Sequence, residues 1–165
     1  MSYNPKVTVC VSTYNQESYI EDCLNSLIQQ DFSNSFNILI GDDCSTDSTQ
    51  VILKKYEKEY TFISVIYRSK NIGPMNNFID IHSRAKGDYI CHVDGDDLVY
   101  KSKLQIQSDL LDERSDISLV AHPVKVMNSD IILGESTEYP QVGNIRDLLK
   151  YGTYFANSSV MYRKK

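Results

Sequence analysis

Three aspartates follow an apolar run closely in the stretch GDYICHVDGDDLVY, which extends from Gly87 to Tyr100. A solvated turn explains single aspartates, but three together repel one another by about 1 kcal/mol per close pair in water. Hard divalent cations such as Mg²⁺ or Mn²⁺ bind carboxylate oxygens and keep positions open for substrate phosphates. We therefore interpret Asp94, Asp96 and Asp97 as a candidate metal and diphosphate site. Between them, Gly95 lets the backbone approach a ligand closely.

Polar side chains also follow two other predicted strands, in STYNQE (Ser12–Glu17) and in GDDCSTDST (Gly41–Thr49). In GDDCSTDST, Ser45 or Asp47 can cap the next helix, and capping is the alternative to a role in ligand binding. Capping needs only one carboxylate, so the doubled Asp42–Asp43 leaves another for an N–H of a base or for ribose hydroxyls. For STYNQE, the alternative is a loop that leads into a helix cap.

Strands that alternate with helices must position these residues. The predicted strands are Val7–Val11, Phe36–Gly41, Phe62–Tyr67 and Tyr89–Val93, and the predicted helices are Tyr19–Gln30, a segment around Val51–Tyr56, Met75–Ala85 and Lys101–Leu111. This order predicts an α/β fold with three α/β/α layers, in which a mostly parallel sheet lies between helices. Ligands of such sheets bind beyond the carboxyl ends of the strands, so the three polar segments should converge at one edge.

The pattern changes after Asp116. The stretches ISLVAHPVKVM and DIILGES predict two strands joined by a short turn, which suggests a hairpin. IRDLLKYG predicts a short helix, and SSVMYR predicts a last strand.

Composition excludes several classes of protein. The net charge of −5, without a cluster of Lys or Arg, argues against a nucleic-acid partner. The cysteines Cys10, Cys23, Cys44 and Cys91 form no CxxC pair, so we expect reduced structural thiols in the cytosol. No apolar run is long enough for a signal peptide or for a membrane span.

Three stretches together resemble the family 2 glycosyltransferases in their order and spacing: VTVCVSTYNQESYIEDCLNSLIQQDF, ILIGDDCSTDST and NIGPMNNFIDIHSRAKGDYICHVDGDD. The resemblance covers about Lys6 to Lys103. It implies a Rossmann-like fold of the GT-A nucleotide-diphospho-sugar transferase type. The implied activity is a metal-dependent, inverting transfer of sugar from a nucleotide-diphospho-sugar, by default a UDP-sugar, to a saccharide or lipid-linked acceptor.

The resemblance also implies roles for single residues. Ser12 and Tyr14 match positions that line the nucleoside pocket, and Asp43 matches the aspartate that hydrogen-bonds the base. The run Asp94–Gly95–Asp96 matches the DxD motif of the family. Its first aspartate should lie near the ribose, and both aspartates are candidate ligands of the Mg²⁺ or Mn²⁺ ion on the diphosphate. Asp97 matches a commonly acidic position with a supporting role.

The catalytic base of the resembled family is an Asp or Glu well beyond the DxD motif. We expect it beyond Lys165, because Glu135 and Glu138 come too early, and we assign no catalytic residue. Acceptors in the family are often polysaccharide or lipid-linked glycans, which implies cell-wall or polysaccharide biosynthesis. The expected location is the cytoplasm, with peripheral association at the inner face of the membrane left open.

We expect a single glycosyltransferase domain over residues 1–165, truncated at its C-terminus. Its nucleotide-sugar-binding part should span about 6–115, and 116–165 should begin the acceptor-side part. Two other functions remain open. A haloacid-dehalogenase-type phosphatase also places DxD after a strand and binds Mg²⁺, and a noncatalytic module could bind nucleotide-sugars alone.

Overall fold

The computed structural model describes residues 4–128, 131–135, 142–144, 146–147, 150 and 155–164. Its strands are β1 (Val7–Thr13), β2 (Phe36–Asp42), β3 (Ile63–Tyr67), β4 (Tyr89–Asp94), β5 (Leu119–Val120), β6 (Lys125–Asn128), β7 (Ile131–Glu135) and β8 (Met161–Arg163). Its α-helices are α1 (Ile20–Ile28), α2 (Thr49–Glu59), α3 (Pro74–Arg84) and α4 (Lys103–Glu113), and a 3₁₀ turn at Asn157–Ser159 precedes the last strand.

One six-stranded sheet carries the fold, in the order β3-β2-β1-β4-β8-β5. The first four of these strands are parallel to one another, and β8 runs antiparallel to β4 and β5. The predicted α/β class and mostly parallel sheet are therefore confirmed. The apolar, β-branched runs of β1 and β4 suit strands that are buried on both faces.

Helices cover both faces of the sheet, which confirms the three predicted layers. Alternate residues of a strand point to opposite faces, so neighbouring residues of β1 serve different cores. Val9 packs in the larger core with Leu24 of α1, and α2 and α4 also contribute buried residues to this core. Cys10 packs in the smaller core with Ile81 of α3 and Ile90 of β4.

The register of β1 brings the three polar segments together. Ser12 pairs with Gly41 of β2 on one side and with Asp94 of β4 on the other. Because parallel strands run in one direction, this pairing makes the carboxyl ends of all three strands finish at the same level of the sheet. The predicted convergence at one edge follows from this register.

The C-terminal part differs from its prediction in one element. The expected single strand ISLVAHPVKVM breaks around Pro123, which lacks an N–H for a ladder hydrogen bond. The first piece, β5, joins the main sheet, while β6 pairs with β7 in the predicted hairpin. The expected strand SSVMYR is confirmed in shortened form as β8. Most of the predicted helix IRDLLKYG lies outside the described residues.

Within the described ranges, every helix is either too short or too polar to cross a bilayer. The four cysteines are free thiols, three of them buried in the protein core.

The contact between β2 and α3 can be tested at Gly41. A β-carbon there would lie 2.4 Å from Oδ1 of Asn77 and 2.6 Å from Cγ2 of Ile81. We expect Gly41→Ala to lower the free energy of unfolding by about 1–3 kcal/mol, because α3 must move away from the sheet. Gly134→Ala is the control, since its β-carbon would meet nothing within 4 Å. Urea unfolding measures both variants, and wild-type stability of Gly41→Ala would contradict the packing described.

Candidate functional site

A pocket of about 360 Å³ opens where β1, β2 and β4 end. Five of the residues predicted from the sequence line it, namely Ser12, Tyr14, Asp43, Asp94 and Asp96. The sixth, Gly95, is buried beside them. The structure therefore brings all the predicted site residues to one place at the edge of the sheet.

The carboxylate of Asp94 is held by donors from two strands. Its Oδ1 accepts hydrogen bonds from Oγ of Ser12 at 2.9 Å and from Nε2 of His92 at 3.1 Å. Its backbone N–H donates to Oγ of Ser158 at 2.9 Å. Burial alone would raise the pKa of Asp94, but the hydrogen bonds from His92 and Ser12 outweigh it and lower that pKa below its usual value. Asp94 is therefore ionised at neutral pH.

Asp96 and Asp97 follow it on the exposed side of the turn. Loss of hydration raises the pKa of Asp97, and the negative charges of Asp96 and Asp94 add to the effect. Among the described residues, no group of three or more His, Cys, Asp or Glu could hold a metal ion by itself. Asp94 and Asp96 still offer the carboxylate oxygens that Mg²⁺ and Mn²⁺ prefer when substrate phosphates complete the coordination. This donor set fits an ion that is shared with a diphosphate.

The two neighbouring aspartates Asp42 and Asp43 lie in different environments. Asp42 is buried, and its Oδ2 accepts from the backbone N–H of Ser45 and from Nε2 of Gln50 at 2.6 Å. Asp43 turns to the pocket, and its two oxygens accept the backbone N–H groups of Ile72 and Gly73 at 2.8 and 2.9 Å. The first carboxylate closes the turn into α2, and the second connects the pocket to the loop before α3.

The segment after β2 holds the loop after β1 in place. Oγ of Ser45 accepts from the N–H of Asn15 at 2.9 Å, rather than from the helix that it was predicted to cap. Asp47 accepts from the N–H of Thr49 at the start of α2 and from the N–H of Glu17 across the gap. Both loops are therefore fixed to each other around the mouth of the pocket.

Tyr14 is presented by this fixed loop. The residue is 45% exposed and lines the pocket, so it is accessible to a ligand. The next residue, Asn15, has a φ of 51°, a left-handed conformation that asparagine tolerates better than most residues. Its Oδ1 accepts from the N–H of Thr46 at 2.8 Å, which stabilises this turn.

Four polar residues that line the pocket were missed by the sequence analysis, namely Thr13, Gln16, Asn71 and Asn77. A β-carbon at Gly95 would lie 2.4 Å from Oε1 of Gln16 and 3.0 Å from Oγ1 of Thr13, so only glycine fits there without a shift. Both of these side-chain oxygens are buried, and neither has a hydrogen-bond partner among the residues that the structure describes. Nothing in the residue types of Thr13 or Gln16 marked them in advance.

The histidine in front of the acidic cluster is more than a packing residue. His92 lies in β4 and is buried, with 1% of its side chain exposed. Its Nε2 lies 3.1 Å from Oδ1 of Asp94, and its Nδ1 lies 2.9 Å from Nε2 of His82. Its position two residues before Asp94 was an available signal, because residues two apart share one face of a strand.

The candidate bases considered from the sequence stay unassigned. Glu135 ends β7, and Glu138 lies outside the described residues.

Comparison with curated proteins gives close relatives among named glycosyltransferases. The chain is 38% identical over 116 residues to abequosyltransferase RfbV of Salmonella typhimurium, a match that covers 68% of this chain and 34% of RfbV. It is 38% identical over 114 residues to the putative teichuronic acid biosynthesis glycosyltransferase TuaG of Bacillus subtilis, covering 69% of this chain and 45% of TuaG. The chain therefore spans less than half the length of either relative.

Comparison with solved structures confirms the predicted fold. The crystal structure of Staphylococcus aureus TarS in complex with UDP-GlcNAc matches 96% of this chain and 45% of that chain. The TM-score is 0.76 at 30% sequence identity. The architecture is thus that of a GT-A glycosyltransferase.

The match to a protein family extends over residues 8–165. It covers the strands, the pocket and the acidic cluster, and it gives no support to the phosphatase alternative. On this match, the chain belongs to glycosyl transferase family 2.

Proposed function

We propose that the chain forms the donor-binding part of a glycosyltransferase. The donor is a nucleotide-diphospho-sugar, with a UDP-sugar as the first expectation. The observation that carries the proposal is the common pocket of Ser12, Tyr14, Asp43, Asp94 and Asp96 at the edge of the sheet. TarS, whose structure resembles this one, is solved with UDP-GlcNAc.

In this proposal, the nucleoside lies against the residues from β1 and β2. Tyr14 packs its exposed ring on the base, and Ser12 lines the pocket beside it. Asp43 accepts a hydrogen bond from an N–H of the base. Each of its oxygens already accepts one backbone N–H, and a carboxylate oxygen has two lone pairs, so capacity for the base remains.

The diphosphate lies at the acidic cluster in β4 and the following turn. Asp94 reaches the ribose, and Asp94 and Asp96 hold a Mg²⁺ or Mn²⁺ ion. When bound, that ion would offset the charge on the leaving nucleoside diphosphate. Transfer proceeds as a single displacement with inversion, in which a base removes the proton of the acceptor hydroxyl.

The proposed acceptor is a saccharide or a lipid-linked glycan of cell-wall or polysaccharide biosynthesis. The names of two relatives support this class: TuaG is a putative teichuronic acid biosynthesis glycosyltransferase, and TarS is a poly(ribitol-phosphate) β-N-acetylglucosaminyltransferase. A cytoplasmic location and peripheral contact with the membrane where lipid-linked acceptors lie belong to the same proposal.

Nucleotide and metal binding can be tested together by thermal denaturation. At a UDP concentration of about 100 Kd with Mn²⁺, we expect the melting temperature to rise by about 5–10 °C. Asp96→Ala should lose the part of the shift that depends on Mn²⁺, because a ligand of the ion is gone. Asp109→Ala, on the exposed face of α4, changes the net charge equally and should keep the whole shift. An unchanged metal-dependent shift in Asp96→Ala would refute the metal assignment.

The packing of Tyr14 on the base gives a separate prediction. Tyr14→Ala should weaken the binding of UDP about tenfold, because stacking of a base on an aromatic ring contributes about 1–3 kcal/mol. Tyr14→Phe keeps the ring and should bind within about twofold of the wild type. Isothermal titration with UDP measures both, and equal affinities of all three proteins would show that the ring does not contact the base.

A further inference from the structure

A chain of hydrogen bonds leads from β8 through the smaller core to the acidic cluster. The hydroxyl of Tyr162 lies 2.6 Å from Nδ1 of His82, on α3. Nε2 of His82 lies 2.9 Å from Nδ1 of His92, on β4. Nε2 of His92 lies 3.1 Å from Oδ1 of Asp94. Three secondary-structure elements are thereby connected to one carboxylate of the pocket.

The two imidazole rings are enclosed by protein. His92 is 1% exposed and His82 is 9% exposed. Phe78 stacks on His82 with ring centroids 3.8 Å apart and lies against His92 at 4.6 Å, so neither ring can turn freely. Burial lowers the pKa of His82 to about 4, and the neighbouring His92 adds to this effect, which keeps His82 neutral at pH 7.

The contacts of the two rings indicate where the protons of this chain lie. A carboxylate only accepts, so His92 donates from Nε2 to Asp94. His82 is a neutral ring with one proton, and we place that proton on Nε2, so that His82 donates to Nδ1 of His92 and its Nδ1 accepts from the hydroxyl of Tyr162. Every N–H and O–H of the chain points in the direction of Asp94.

We propose that His82 and His92 are positioning residues for the donor site, which hold Asp94 in one orientation through a one-directional hydrogen-bond chain that begins at Tyr162. This inference rests on the proposed function, because Asp94 matters only as a ligand of the nucleotide-sugar or its ion. The histidines touch neither. They act through the carboxylate.

The hydrogen bonds to Asp94 determine which of its two carboxylate oxygens can bind the ligand. Ser12 and His92 both donate to Oδ1, so that oxygen has its two lone pairs engaged. Oδ2 is then the oxygen with capacity for a ribose hydroxyl or a divalent ion. In a protein without the imidazole of His92, the carboxylate of the half-exposed Asp94 can rotate about χ2. Ligand binding must then fix the orientation of that carboxylate, which costs free energy.

The same chain connects the donor site to the segment after the described hairpin. Tyr162 lies on β8, and Ser158, in the turn before β8, accepts the backbone N–H of Asp94. Residues 157–163 thus support Asp94 from two sides, although they lie more than sixty positions away in the sequence. This support explains why a distant strand belongs to the nucleotide site.

The proton assignment can be measured without any ligand. In long-range ¹H–¹⁵N spectra of the protein at pH 7.5, we expect the ring protons of both His82 and His92 on Nε2. Tyr162→Phe removes only the donor to Nδ1 of His82, so His82 should keep its proton on Nε2, because that nitrogen still faces Nδ1 of His92. A proton on Nδ1 of either ring in the wild type would overturn the proposal.

The effect on binding is tested by two amides that each replace one nitrogen of His92. Glutamine places its NH₂ near the position of Nε2 and keeps the donor to Asp94, whereas asparagine reaches only as far as Nδ1. We expect His92→Asn to weaken UDP binding in the presence of Mn²⁺ about tenfold, since a hydrogen bond to a charged group is lost. His92→Gln should recover most of the affinity. Isothermal titration measures both, and circular dichroism checks that each variant folds.

The outcomes separate this inference from the proposed function. If the wild type binds no UDP, the proposed function fails, and the proton positions still decide whether the hydrogen-bond chain exists. If the wild type binds UDP and folded His92→Asn binds it equally well, the positioning role is refuted and the proposed function stands. Equal weakening in His92→Asn and His92→Gln would assign the effect to packing of the ring, and this result also contradicts the proposal.

Discussion

The pairing of β1 with both of its neighbours is the constraint on which the site depends. Ser12 lies opposite Gly41 and Asp94 at the same time, so the segments after β1, β2 and β4 must share one edge. A register shift of one residue would turn Ser12 to the opposite face and remove its hydrogen bond to Asp94. The buried valines of β1 resist such a shift, because it would also exchange the residues that face the two cores.

Groups around the aspartates partly offset the negative charge at this edge of the sheet. Ser12 and His92 donate to Asp94, while the buried amine of Lys103 donates to the carbonyl oxygen of Ser158 at 2.7 Å. Burial lowers the pKa of Lys103, and the charge of Asp97 acts in the opposite direction. Repulsion remains at the cluster, since the charges of Asp96 and Asp94 add to the burial that raises the pKa of Asp97. A cation at the cluster would remove the rest, which is the physical argument for a metal there.

The secondary-structure elements that depend on the local pattern of residues could be predicted from the sequence. The strands and helices up to Glu113 were predicted to within a few residues, because apolar runs and turn residues alternate clearly. The break at Pro123 was missed, since two short strands of different sheets look like one apolar run. The division of Asp42 from Asp43 and the contact between His82 and His92 depend on how α2 and α3 pack on the sheet. Such contacts join residues far apart in the chain, and no local pattern shows them.

The central claim is that one nucleoside diphosphate occupies the pocket, with its base near Asp43 and its phosphates at the acidic cluster. Anomalous diffraction from crystals grown with UDP and Mn²⁺ tests this directly. The account predicts one manganese peak between the carboxylate of Asp96 and the diphosphate, in the same pocket whose wall holds Tyr14 and Asp43. A nucleotide bound elsewhere, or a manganese ion bound away from this cluster, would contradict it.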